Sequence, residues 1–143
     1  GSPAFAQALD QSVVALMIEK KSAVEDLEAL LSVPGVDMTQ FGPADFSNSI
    51  DRPGEWQHPE VVEAEKHVIE TSLKMGVAPR AEINTPEQAE KYLEMGVKHF
   101  CVGTDVSILF DWFRDTGGAF NEMLGREAPG TDGQHGGYGG AGD

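Results

Sequence analysis

At 143 residues the chain is one domain's worth, long enough to bury a core if its elements find partners. Its 24 acidic against 10 basic residues give a net charge of −14, which repels phosphate backbones and anionic lipid surfaces, so no nucleic-acid partner is expected. With 40% hydrophobic residues spread over short runs, no segment is apolar for long enough to cross a bilayer, and no membrane partner is expected either.

Residues 1–12 read as an N-terminal lead-in, with Gly1-Ser2 a candidate tag remnant outside the fold. Residues 13–18 form a short Val/Leu/Ile-rich run of the kind that makes a strand buried on both faces, and Glu19 stands at its C-terminal end. Ala23, Leu27, Leu30 and Leu31 then recur at helical spacing as one helix, stopped by Pro34-Gly35. A second strand over 36–41 ends at Gly42-Pro43-Ala44-Asp45, a loop that again places a carboxylate just past a strand.

After the polar loop containing Arg52-Pro53-Gly54, His58-Pro59 opens a long helix through Val61, Val62, Ala64, Val68, Ile69 and Leu73 to Gly76. Residues 78–83 form the third strand. Thr85 and Gln88 have the spacing of a capping box for a helix that Gly96 ends. The fourth strand, 98–102, contains the single cysteine, Cys101, in an apolar run that reads as buried. Asp105 leads into an amphipathic helix through Ile108, Leu109, Trp112, Phe113, Phe120 and Leu124, and residues 128–143 read as a disordered Gly-rich tail. One unpaired cysteine and no visible secretory signal point to a reducing cytoplasm.

Strand followed by helix, four times over, predicts a parallel α/β sheet with helices outside it, which is half of a (β/α)₈ TIM barrel spanning residues 13–127. In such a barrel ligands bind at the C-terminal edge of the strands. Glu19 and Asp45 belong to that edge and follow consecutive strands, whose axes lie about 5 Å apart, so both carboxylates can reach one cation. Two hard oxygen ligands with the other positions left to water and substrate suit Mg²⁺ or Mn²⁺. The bland alternative is a pair of solvated strand-end acids. In the 42–45 turn, Gly42 and Ala44 leave room for a ligand beside backbone N–H groups, and Pro43 stiffens the segment that aims Asp45.

Leu16-Met17-Ile18-Glu19, Val33-Pro34-Gly35-Val36-Asp37, Phe41-Gly42-Pro43-Ala44-Asp45-Phe46-Ser47, His58-Pro59-Glu60-Val61, Tyr92-Leu93-Glu94-Met95-Gly96 and Val102-Gly103-Thr104-Asp105 together resemble the C-terminal half of the HpcH/HpaI aldolase/citrate lyase family. The resemblance implies a metal-dependent lyase of the pyruvate type, with Co²⁺ joining Mg²⁺ and Mn²⁺ as candidate cofactors. Glu19 and Asp45 are its implied metal ligands, and the 42–45 segment (Gly42, Pro43, Ala44, Asp45) its implied keto-acid contact. The cation then acts as a Lewis acid in retro-aldol cleavage of a 2-keto acid substrate to an aldehyde and a second keto acid.

The resemblance also implies a homo-oligomer in which the last helix packs on a neighbouring subunit; the alternative for Trp112, Phe113 and Phe120 is packing inside their own barrel. The family's general-base His, its supporting Asp and its enolate-stabilising Arg belong to the first half of the barrel, and none of His58, His67, His99 and His135 replaces that base. Met17 stands where many members carry a Gln, and Arg80 and Glu82 occupy a strand that is usually apolar there. Glu82 is then either a site residue or one arm of an ion pair with Arg80. Three states fit the sequence: a lyase half needing further strands, a non-catalytic binding or assembly module, and two copies pairing to close one barrel.

Overall fold

Four short segments, the first three each followed by a crossover, pair in the order in which they are made. They are β1 (Ala15–Ile18), β2 (Met38–Phe41), β3 (Ala78–Ile83) and β4 (His99–Val102), and every pairing is parallel. The computed structural model describes residues 2–126. A strand order that never reverses winds the crossovers one way, placing the helices that connect the strands on one face as in a barrel wall.

The helices are α1 (Pro3–Asp10), α2 (Lys21–Glu25), α3 (Leu27–Leu31), α4 (Pro43–Ser49), α5 (Pro59–Met75), α6 (Ala89–Met95) and α7 (Asp105–Met123), with a 3₁₀ turn over Pro86–Gln88. The core lies between the sheet and α3 to α6. Ile18, Phe41, Val61 and Val68 pack with Leu27, Leu31 and Phe46, and a second cluster joins Ile69, Ala81, Ile83, Tyr92 and Val97. One buried polar contact crosses this layer. Ser72 donates to the Val68 carbonyl at 2.7 Å, so the Thr39 hydroxyl is the donor in the 2.8 Å contact between Thr39 and Ser72. No helix among the described residues is long and apolar enough to cross a membrane.

Several expectations change. The single helix expected before Pro34 is two, because Asp26 leaves helical geometry (φ −99°, ψ 19°) between α2 and α3. The 42–45 segment expected as a loop is the start of α4, with Pro43 in its first turn and Asp45 as the first-turn acid. The Thr85–Gln88 capping box does not form. The Gln88 side chain instead accepts from the Asn84 backbone N–H at 2.7 Å, and Thr85 gives no side-chain cap bond. The lead-in holds α1, capped by Ser2.

Strands β1 and β4 are not buried runs. They are the sheet's edges: Met17 is 48% and Val102 63% exposed, and Cys101 is half-buried. Trp112 and Phe113, stacked edge to face at 4.9 Å, and Phe120 all remain exposed on α7, which buries no residue. Packing of these aromatics inside their own barrel is therefore not observed among the described residues. The expected tail over 128–143, with His135, lies outside the described residues.

Candidate active site

Because β1 and β2 pair with Ile18 opposite Phe41, the residues just beyond them, Glu19 and Gly42, face each other at the C-terminal edge. The Gly42 N–H donates to the Ile18 carbonyl at 3.0 Å, which holds the two strand ends together. A Cβ on Gly42 would lie 2.9 Å from the Glu19 Cβ, 3.3 Å from its Oε2 and 3.4 Å from the Met17 Sδ. Glycine is thus what lets the Glu19 side chain lie across the entrance to α4. Replacing Gly42 with Ala should cost about 1–3 kcal/mol of stability, as overpacking does, and displace the Glu19 carboxylate. Urea denaturation together with Mn²⁺ titration checks this, and an unperturbed variant in both would refute the close approach.

Asp45 sits in the first turn of α4, two residues past Pro43, where Ala44 and Asp45 carry backbone N–H groups with no carbonyl inside the helix. On the other side the Lys21 N–H donates to the Ser49 hydroxyl at 3.0 Å, tying the segment after Glu19 to the end of α4. Glu19 and Asp45 line the same two cavities: one of about 650 Å³ reaching over the sheet edge to β3, and one of about 780 Å³ toward Lys20, Lys21 and Asn48.

Neither carboxylate has a hydrogen-bond or ion-pair partner among the described residues. No group of three or more His, Cys, Asp or Glu side chains there could hold a metal ion. Two unpartnered acids at one edge fit a hard divalent cation that takes its remaining ligands from water and substrate, and do not fit a closed structural site.

The cavity that reaches β3 includes residues that the sequence had left open or not pointed to. Glu82 lines it and makes no ion pair with Arg80. The Gln40 amide stands between them, its Oε1 accepting from Arg80 Nε at 2.5 Å and its Nε2 donating to Glu82 Oε2 at 3.2 Å. Trp56, not singled out from the sequence, and Tyr92, named there only within a segment that carries the resemblance, also line it.

The Tyr92 hydroxyl donates to Glu65 Oε1 at 2.8 Å. Burial pushes its pKa well above the ordinary 10.0, and the Glu65 charge pushes further the same way. Folding therefore favours the protonated phenol, a contribution intact below the unfolded value of 10.0 and lost as pH rises through the folded one. Urea midpoints should decline above about pH 10. Tyr92→Phe should flatten that decline while costing about 1 kcal/mol at neutral pH. An identical alkaline decline in the variant would count against the assignment.

Residues 3–111 match the protein family described as HpcH/HpaI aldolase/citrate lyase. The chain is 38% identical over 103 residues to a 4-hydroxy-2-oxo-heptane-1,7-dioate aldolase of Escherichia coli, covering 72% of this chain and 39% of that protein. The crystal structure of an HpcH/HpaI aldolase from Desulfitobacterium hafniense superposes with a TM-score of 0.73 at 26% identity, covering 87% of this chain and 49% of that one. An HpcH/HpaI aldolase/citrate lyase family protein from Burkholderia cenocepacia gives 0.69 at 31% identity, over 83% of this chain and 45% of that one. The chain thus spans about half the length of these structures, or less.

Proposed function

The chain belongs to the HpcH/HpaI aldolase/citrate lyase family, and from that premise we propose that it forms the metal-bearing part of a lyase that cleaves 4-hydroxy-2-oxo acids. The observation that carries this reading is the pair of unpartnered carboxylates, Glu19 and Asp45, facing one cavity across a glycine that admits no side chain. Both acids serve as metal ligands, for Mg²⁺, Mn²⁺ or Co²⁺. A divalent cation bound there supplies Lewis acidity to the keto oxygen of the substrate.

The chain's own residues do the positioning. Gly42 and Pro43 present the start of α4, and the backbone N–H groups of Ala44 and Asp45 are donors suited to the carboxylate next to the keto group. In the cleavage itself the C3–C4 bond breaks, the 4-hydroxyl loses its proton as the aldehyde forms, and C3 gains a proton to give the 2-keto acid. The group that moves these protons comes from strands beyond this half of the barrel. Those strands, with further copies of the chain, also cover the exposed face of α7, so the working unit is a homo-oligomer of completed barrels.

Pyruvate release from 4-hydroxy-2-oxo acids by the barrel completed with those strands is the direct test. Release that stops with EDTA and returns with Mn²⁺ is the expected result. Release indifferent to EDTA, or none at all, would reject the reading.

A further inference from the structure

The cavity that reaches β3 is lined by a cationic side chain, Arg80, that the cleavage chemistry does not use. On the open face of the sheet the pairings align Met17 with Gln40 and Gln40 with Arg80, one layer below Glu19. Gln40 is only 5% exposed, and its amide is oriented from both sides, toward Arg80 Nε and Glu82 Oε2. The guanidinium is thereby fixed by a neutral partner through one of its five N–H groups. Among the described residues no carboxylate lies within ion-pair distance of it. Lys91, the other cation lining this cavity, is already engaged, 3.8 Å from Glu65 and 4.4 Å over the Tyr92 ring.

We propose that Arg80, held by Gln40, binds a second carboxylate at the far end of the 2-keto acid substrate and so selects dicarboxylic substrates. The inference rests on the keto-acid reading given above and deepens it. Strand β3 lies two strand spacings from β1, about 10 Å, so one carboxylate cannot serve both the Glu19–Asp45 pair and Arg80. Beside the Glu19 end the cavity is lined by Met17, 48% exposed, whose thioether offers methylene groups an apolar surface. A planar fork meeting a carboxylate with two parallel N–H bonds discriminates strongly against an analogue that lacks the acid.

The test compares two probes of equal length, 2-oxoheptanedioate and 2-oxoheptanoate, titrated into the Mn²⁺-loaded chain. The dioate should bind roughly 10- to 100-fold tighter. Arg80→Gln should erase that preference while leaving Mn²⁺ affinity and 2-oxoheptanoate affinity unchanged, and Arg80→Lys should retain part of it. No preference in the native chain, or a preference that survives Arg80→Gln, overturns the proposal. So does an equal loss for both probes in both variants, the signature of a merely structural arginine.

A metal-free arm separates this idea from the lyase reading. Glutarate added to the chain should shift the ¹⁵Nε resonance of Arg80, assigned by its absence in Arg80→Gln. If that signal responds but neither keto acid binds with Mn²⁺, the carboxylate site stands and the lyase reading falls. If glutarate leaves it unmoved, the carboxylate site is rejected whatever the keto acids do.

Discussion

Replacing Glu19 with Gln, or Asp45 with Asn, is expected to weaken divalent-metal binding by more than about 100-fold, beyond the cost of losing a supporting partner of a metal ligand. Both changes keep the side-chain volume, and neither acid has a protein partner among the described residues to lose, so the fold is spared. In the native chain, Mn²⁺ at about 100 times its dissociation constant should add about 2.7 kcal/mol of stability, roughly 10 °C in melting temperature for a domain of this size. In either variant that increment should vanish. The metal-free variants should melt no lower than the native chain, because one of two neighbouring like charges has been removed. Calorimetric titration and melting curves read the two effects separately. Native-like Mn²⁺ affinity in both variants would remove these acids from the metal site.

A second large effect concerns turnover. Within residues 2–126 no histidine stands at the C-terminal end of a strand. The His58 ring caps α5, its Nδ1 accepting from the Glu60 N–H at 3.3 Å, His67 is exposed on α5, and His99 opens β4 at the opposite end. A bound keto acid can be held and polarised without a base, but its protons then move slowly. The chain alone should exchange the methyl protons of pyruvate about 10²–10⁴-fold more slowly than the barrel completed with its remaining strands. EDTA should abolish both rates. Equal rates from the two would mean that the base lies here, with Glu82, His99 and Asp105 the positions to replace in turn.

Much of this arrangement was legible in the sequence, for local reasons. Gly76 and Gly96 mark helix ends because each takes a left-handed conformation, φ 77° and 98°, that other residues adopt only with strain. The first and fourth strands announce themselves as apolar runs and the second as a weak alternation, and Glu19 and Asp45 follow from where the first two strands stop. The start of α4 carried its signal too. Proline in the first turn with an acid two residues on is a helix opening, and reading Gly42-Pro43 as turn chemistry hid it.

What was not legible depends on distance along the chain. The Gln40 bridge joins side chains 40 and 42 positions apart, and nothing local distinguishes it from a direct Arg80–Glu82 pair. Exposure at β1 and β4 was equally hidden, because an edge strand and a central one can share a composition; only the sheet order tells which strands lack a neighbour.

That strands neighbouring in space are also neighbours in sequence bears on how the molecule comes into being. As β2, β3 and β4 leave a ribosome in turn, each finds the edge that it joins already made. The loop closed at each step is a single crossover, so the entropic cost of pairing stays near its minimum for a parallel sheet.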